Sequence, residues 1–336
     1  MENNRRLKRK QRIRRRRITL IVALVVILGI GFGAYEIFSH KDNTVKATAD
    51  EGQASKGNSE AKAQEEEKPS PNEIMPGQNI IYSADSYAVP ANKVFDMLTS
   101  SKPVNNEKEV FLTFDDGPSE NTEAILKILK DEDVHATFFV LGSQLKASEE
   151  NRQLLKDEIE SGNAIANHTM SHDYHKLYPG NSVNVERFMK EINENNELMK
   201  SILGNNFNTT VIRMPGGYMS RRYYRDPHLK ALNEAFKEQG IYSIDWDAET
   251  GDAESNTYSV EHLVNRAKAY MKTEKHMILL MHDAAAKKST VKALPTIIKL
   301  LKENGYQFKV INNAPVDNGN SNSQDNSNSQ NSSENK

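Results

Sequence analysis

Residues 109–120 read EVFLTFDDGPSE. Val110, Phe111, Leu112 and Phe114 form an apolar run of strand length, and Asp115 and Asp116 stand side by side at its end. The run reads as a buried strand. Carboxylates are seldom buried unless something compensates their charge. Packing alone does not explain why a strand headed into a core finishes on two of them.

Six further apolar runs follow: ATFFVL 136–141, NAIANHT 163–169, TTVIRM 209–214, IYSIDW 241–246, HMILLMH 276–282 and QFKVI 307–311. Amphipathic segments such as RQLLKDEIESG, ERFMKEINENNELMKSIL and VKALPTIIKLLKENG separate them, and several end in the Gly that stops a helix. Seven strand–helix alternations between about residues 106 and 312 predict an α/β fold with a parallel sheet, most simply closed as a distorted (β/α) barrel of about seven strands. An open doubly wound sheet is the alternative. There is no Gly-rich phosphate loop, so no nucleotide is expected.

The flanks have a different character. Ten Lys/Arg and one Glu occupy residues 1–17, so a formal net charge of -2 for the chain leaves the remainder acidic. A basic tract can mark nucleic-acid binding, but ITLIVALVVILGIGFGAYEIF, 18–38, follows at once and has the length of a membrane-spanning helix. The expectation is therefore no nucleic-acid partner. Instead, a single-pass anchor places 1–17 in the cytoplasm and everything after Phe38 outside it. Residues 39–76, rich in Glu, Lys, Ala and Ser, read as a disordered tether, and 313–336 as a disordered Ser/Asn tail. Between them, 77–105 is ambiguous: NIIYSA reads as a strand and ANKVFDMLTS as a short helix. No cysteine is present to form a disulfide.

In (β/α) barrels the site lies at the C-terminal ends of the strands. Those ends collect Asp115, Asp116, His168, His172, Arg213, Asp252 and His282. His168 and His172 are four residues apart, a spacing that on a helical turn puts both imidazoles on one face, where they can share a metal. Alone, each of these is matched by a plainer reading: surface histidines, a surface arginine, a turn-forming Asp252, a core His282. With a carboxylate, two histidines also resemble the facial triad of an iron(II) oxygenase.

The combination is more specific. TFDDGPS, HTMSH, RMPGG, WDAETGD and LMH occur in this order, and together they resemble the polysaccharide deacetylase family, also called the NodB homology domain or family 4 of the carbohydrate esterases. The resemblance implies removal of N-acetyl groups from a glycan with one divalent metal, zinc or else cobalt or another ion. It implies Asp116, His168 and His172 as metal ligands, Asp115 as catalytic base and His282 as the acid that protonates the departing amine. Arg213 would hold Asp115 in place and charged, and Asp252 would raise the pKa of His282. The Gly216 N–H would join the metal at the oxyanion. The third motif of the family usually carries a bulky aromatic where Gly216 stands, which implies a more open groove here, with Tyr218 as the aromatic at hand to replace it. The fourth motif usually ends Asp-Trp, whereas Ala253 follows Asp252.

Taken with the anchor, these features lead to the expectation of a membrane-tethered hydrolase facing the cell wall, with peptidoglycan N-acetylglucosamine as substrate. Poly-N-acetylglucosamine, an O-acetylated glycan, or a non-catalytic glycan-binding role are the alternatives.

Overall fold

The computed structural model describes residues 69–100 and 105–315. The basic segment 1–17, the expected span 18–38, most of the tether and the tail from 316 lie outside the described residues. Among the described residues no helix is long and apolar enough to cross a membrane.

Ten strands occur there: β1 (Ala88–Pro90), β2 (Glu109–Asp115), β3 (Ala136–Val140), β4 (Ala164–Asn167), β5 (Val211–Ile212), β6 (Tyr242–Ser243), β7 (Ala248–Glu249), β8 (His276–His282), β9 (Gln307–Phe308) and β10 (Val310–Asn312). Seven of them line up as β6-β5-β4-β3-β2-β8-β7, every pair parallel. The expected seven-stranded (β/α) barrel is therefore present, but as an open one. Its two edges, β6 and β7, are consecutive in sequence and do not pair.

The gap changes the strand list. IYSIDW was expected as one strand, yet only Tyr242–Ser243 pairs with β5, and Ala248–Glu249 joins the far edge beside β8. The cause is a buried cation. Arg213 donates from Nε to the Ile244 carbonyl at 2.9 Å and from Nη2 to the Asp245 carbonyl at 3.3 Å, so these acceptors serve a guanidinium instead of a neighbouring strand. QFKVI also divides: β9 pairs with the start of β2, whereas β10 pairs with β1.

Strand parity sorts the core into two layers, because successive side chains point to opposite faces. From β2, Val110, Leu112 and Phe114 face outward into the cluster shared with the surrounding helices. Phe111 faces inward with Phe139, Ala166, Val211, Ile244 and Ile278. The same parity continued to the strand ends turns Asp115, His168, Arg213 and His282 toward the barrel mouth.

The ambiguous 77–105 segment closes the other end. Helix Ala91–Thr99, as expected from ANKVFDMLTS, sets Ala91 and Val94 into the inner cluster as a plug. NIIYSA is not a strand. Ile81 makes an isolated bridge with Ile74, and a 3-10 helix, Tyr82–Tyr87, follows. The buried Asn79 explains the departure: its Nδ2 donates to the carbonyls of Ile165 and Ile311, both at 3.0 Å, fastening the segment beneath β4 and β10. Ile74 and Met75, at the expected end of the tether, pack against the main core instead. Asn313, at the expected start of the tail, is buried and bonds to Gly77, Asn79, Asn208 and Thr210.

Candidate active site

The two adjacent aspartates diverge because the strand ends between them. Asp115 is the last residue of β2, whereas Asp116 adopts φ 74°, a left-handed conformation that re-aims its side chain. Asp115 is buried. Its Oδ1 accepts from Arg213 Nη1 at 2.7 Å, and the same Nη1 lies 2.9 Å from the Thr113 hydroxyl. Arg213 is fully buried over the Phe139 ring at 4.0 Å. The expected pairing is therefore in place, but its electrostatic outcome differs from the expectation. Burial raises the Asp115 pKa and outweighs Arg213 and His282, which act to lower it. Asp115 becomes a stronger base than an ordinary carboxylate.

His168 and His172 do not share a helical turn. They lie on an irregular loop after β4, with Thr169 and His172 both at positive φ. The loop is pinned from behind by helix Val185–Leu203. The fully buried Glu191 accepts from the Ser171 N–H at 3.0 Å and the Ser171 hydroxyl at 2.7 Å, and Asn195 Nδ2 donates to the Thr169 and Val140 carbonyls, both at 2.9 Å. Sequence reasoning passed over both residues. Their signal was two polar side chains, four apart, on the buried stripe of an amphipathic helix.

The result is a cluster in which one donor atom each from Asp116, His168 and His172 lies within 4.8 Å of the others. It is the one such group among the described residues. His168 Nδ1 lies 2.8 Å from the Arg213 carbonyl, which can only accept, so Nδ1 carries the proton and the Nε2 lone pair points at the cluster. Burial and the neighbouring His172 hold His168 neutral, with a pKa of about 3. Asp116 Oδ1 is buried without a hydrogen-bond partner, 3.5 Å from His168 Nε2 and 3.7 Å from His172 Nε2. An orphaned carboxylate oxygen facing the His168 lone pair, with His172 beside it, fits a divalent cation: the donors are those zinc takes, and three protein ligands leave a position open.

Across the mouth, β8 sets His282 in register beside Asp115. Asp252 accepts from His282 Nδ1 at 2.9 Å, from the His282 N–H at 2.8 Å and from the Thr290 hydroxyl at 2.8 Å. Burial acts to lower the pKa of His282, but the Asp252 carboxylate overrides it and raises it to about 9. The loop carrying Asp252 is held by Arg266, which pairs with Glu249 and with Glu254.

Gly216 adopts φ 73°, and its N–H has no partner among the described residues. Tyr218 packs against the cluster of Leu177, Phe188 and Phe236, and its hydroxyl accepts from Asn233 Nδ2 at 2.9 Å. The RMPGG loop is anchored by Asp245, a third residue that the sequence motifs did not single out. It accepts the N–H groups of Tyr218 and Met219, both at 2.8 Å. Trp246 sits beside this loop, close against Gly217.

A buried carboxylate, a three-donor cation cradle and a protonated imidazole thus surround one opening, the parts of a hydrolytic site. The polysaccharide deacetylase family model matches residues 102–234. A peptidoglycan-N-acetylglucosamine deacetylase of Bacillus cereus is 32% identical over 206 residues, covering 60% of this chain and 68% of that one. The chain belongs to the polysaccharide deacetylase family. A second Bacillus cereus protein of the same description is 31% identical over 209 residues and is covered to 88% of its length. Among solved structures, a Streptococcus mutans family 4 carbohydrate esterase superposes with a TM-score of 0.65 at 35% identity, over 72% of this chain and all of that one. The polysaccharide deacetylase is a hydrolase of the amide bond in N-acetyl groups.

Proposed function

We propose that this deacetylase is metal-dependent and acts on N-acetylglucosamine residues of peptidoglycan. The observation that carries the metal is the orphaned Asp116 Oδ1 beside the His168 lone pair. The substrate reading is supported by the two Bacillus cereus relatives, both described as peptidoglycan-N-acetylglucosamine deacetylases.

Asp116, His168 and His172 would hold the ion, with zinc the metal that best suits two imidazoles and a carboxylate. A bound divalent cation supplies Lewis-acid polarisation of the acetyl carbonyl and an acidified attacking water. Asp115, kept basic by burial and aimed by Arg213, would accept a proton from the water that adds to the carbonyl carbon. The free N–H of Gly216 would stabilise charge on the carbonyl oxygen. His282 Nε2 then delivers a proton to the nitrogen as the C–N bond breaks, giving acetate and a free amine. Asp252 keeps that imidazole charged until it is needed.

The anchored topology belongs to the same reading. Residues 18–38 would span the membrane, 1–17 would lie in the cytoplasm, and 39–68 would lead to the catalytic domain outside it, as their composition supports. Thirty such residues extend to about 30 Å as a flexible coil, which keeps the enzyme near wall material.

The test is acetate release from purified peptidoglycan by the full-length protein, before and after chelation and with zinc restored. Release that stops on chelation and returns with zinc is expected. Metal-independent release would remove the cradle from the mechanism. Release from poly-N-acetylglucosamine but not from peptidoglycan would replace the substrate.

A further inference from the structure

The place beside Gly216 is filled. A Cβ added there would collide with the phenol oxygen of Tyr174, which comes from the loop that carries His172. Tyr174 is half-buried, with its ring edge-on to His172 at 5.5 Å and to Tyr178 at 5.4 Å. Tyr178 is itself fixed: its hydroxyl donates to the Pro215 carbonyl at 3.0 Å, and the Arg221 guanidinium lies 4.5 Å from its ring. Tyr174 is therefore wedged between the cation cradle and the RMPGG loop, with little freedom to swing away.

Its hydroxyl makes no hydrogen bond to any described residue, and neither does the adjacent Gly216 N–H. A phenol held this firmly usually finds a partner for its O–H. Here a phenol donor and a main-chain donor stand side by side at the rim, both free. Ligand sites are built this way, with apolar and aromatic walls and a few fixed polar groups that orient the ligand.

We propose that Tyr174 is a substrate-contacting residue whose hydroxyl donates to a ring hydroxyl of the sugar bearing the acetamido group. The aromatic wall at position 216 is thus supplied by another loop, and the groove is closed on this side. The inference rests on the deacetylase site assigned above.

The hydroxyl and the ring have separable roles, which gives the test. Tyr174→Phe keeps the ring against His172 and removes only the donor. In the full-length protein it should lower kcat/KM for acetate release from peptidoglycan about ten-fold, the scale of one lost substrate hydrogen bond. Bound metal, thermal stability and the shape of the pH–rate profile should match wild type. Tyr174→Ala should lose more activity and some metal, since it also removes the support of His172. A Phe variant within about two-fold of wild type would overturn the proposal and leave Tyr174 as packing. A Phe variant whose lost activity tracked lost metal would overturn it as well. Absence of acetate release from the wild type would instead defeat the underlying reading, and the proposal with it.

Discussion

The two sides of the barrel mouth contrast in how their hydrogen bonds are satisfied. On the His282 side nearly every group is used. Both Asp252 oxygens accept, His282 spends its main-chain N–H and Nδ1 on that one carboxylate, and Lys287 Nζ donates to the Asp252 carbonyl at 2.7 Å. On the Asp116 side the groups are aimed but left without partners: a buried carboxylate oxygen and an imidazole lone pair face one another. Buried polar groups left unpaired cost about 1–3 kcal/mol each, so a converging set of them is suited to taking up a ligand. The satisfied side is a pre-set proton donor, and the unsatisfied side is a receptacle.

The largest break in this contrast should come from Asp116→Ala. It removes a ligand, so bound metal and acetate release should fall together to background, with partial recovery in excess zinc. Asp115→Asn should retain the metal, remain inactive, and gain nothing from added zinc. Metal analysis of both purified variants reads the difference, and metal loss in Asp115→Asn with retention in Asp116→Ala would swap the two roles.

On the other side, His282→Ala should reduce kcat by about 10²- to 10⁴-fold with unchanged metal content. Near-normal turnover would mean that another group protonates the amine.

The pinning residue Glu191 should have an intermediate effect. Glu191→Ala frees the loop carrying His172 and should weaken zinc affinity about 10- to 100-fold, as loss of an outer partner does. Competition with a chelator measures it, and unchanged affinity would show that the loop holds its shape without Glu191.

The smallest change at neutral pH is expected from Asp252→Asn. His282 must be protonated to act, so the rate should fall as pH rises through its pKa of about 9. Removing the Asp252 charge lowers that pKa and shifts the alkaline limb of the pH–rate profile downward. The acid limb, set by Asp115 losing its charge as pH falls, should not move.

How much of this was legible in the sequence depended on strand length. β2 and β8 each run for seven residues, so their continuous apolar runs were visible, and their last residues, Asp115 and His282, lie side by side on one rim. β5, β6 and β7 are two residues each, too short to carry a period, and their boundaries were misjudged. Their shape depends on Arg213, whose hydrogen bonds to Ile244 and Asp245 join residues about thirty positions apart. The His168–His172 spacing pointed to a pair that does come together, but through a loop instead of the expected helical turn. Glu191, Asn195 and Asp245 lie outside the motifs because they act on the motif loops, and a pattern of ligands does not encode what braces them.

The clamp at Gly77–Asn79 and Asn313 has a mechanical consequence. Chain entering at Ser70 is fastened to the N-terminal ends of β4 and β5, by the Asn79 side chain to Ile165 and by the Gly77 N–H to the Asn206 carbonyl at 2.8 Å. The catalytic rim lies at the other ends of the same strands: His168 follows Ile165 by three residues, about 10 Å at ~3.3 Å per residue. A pull on the leading segment would therefore fall first on the plugged base, before it reached the rim. The segment that enters the domain and the working edge thus occupy opposite ends of the same strands.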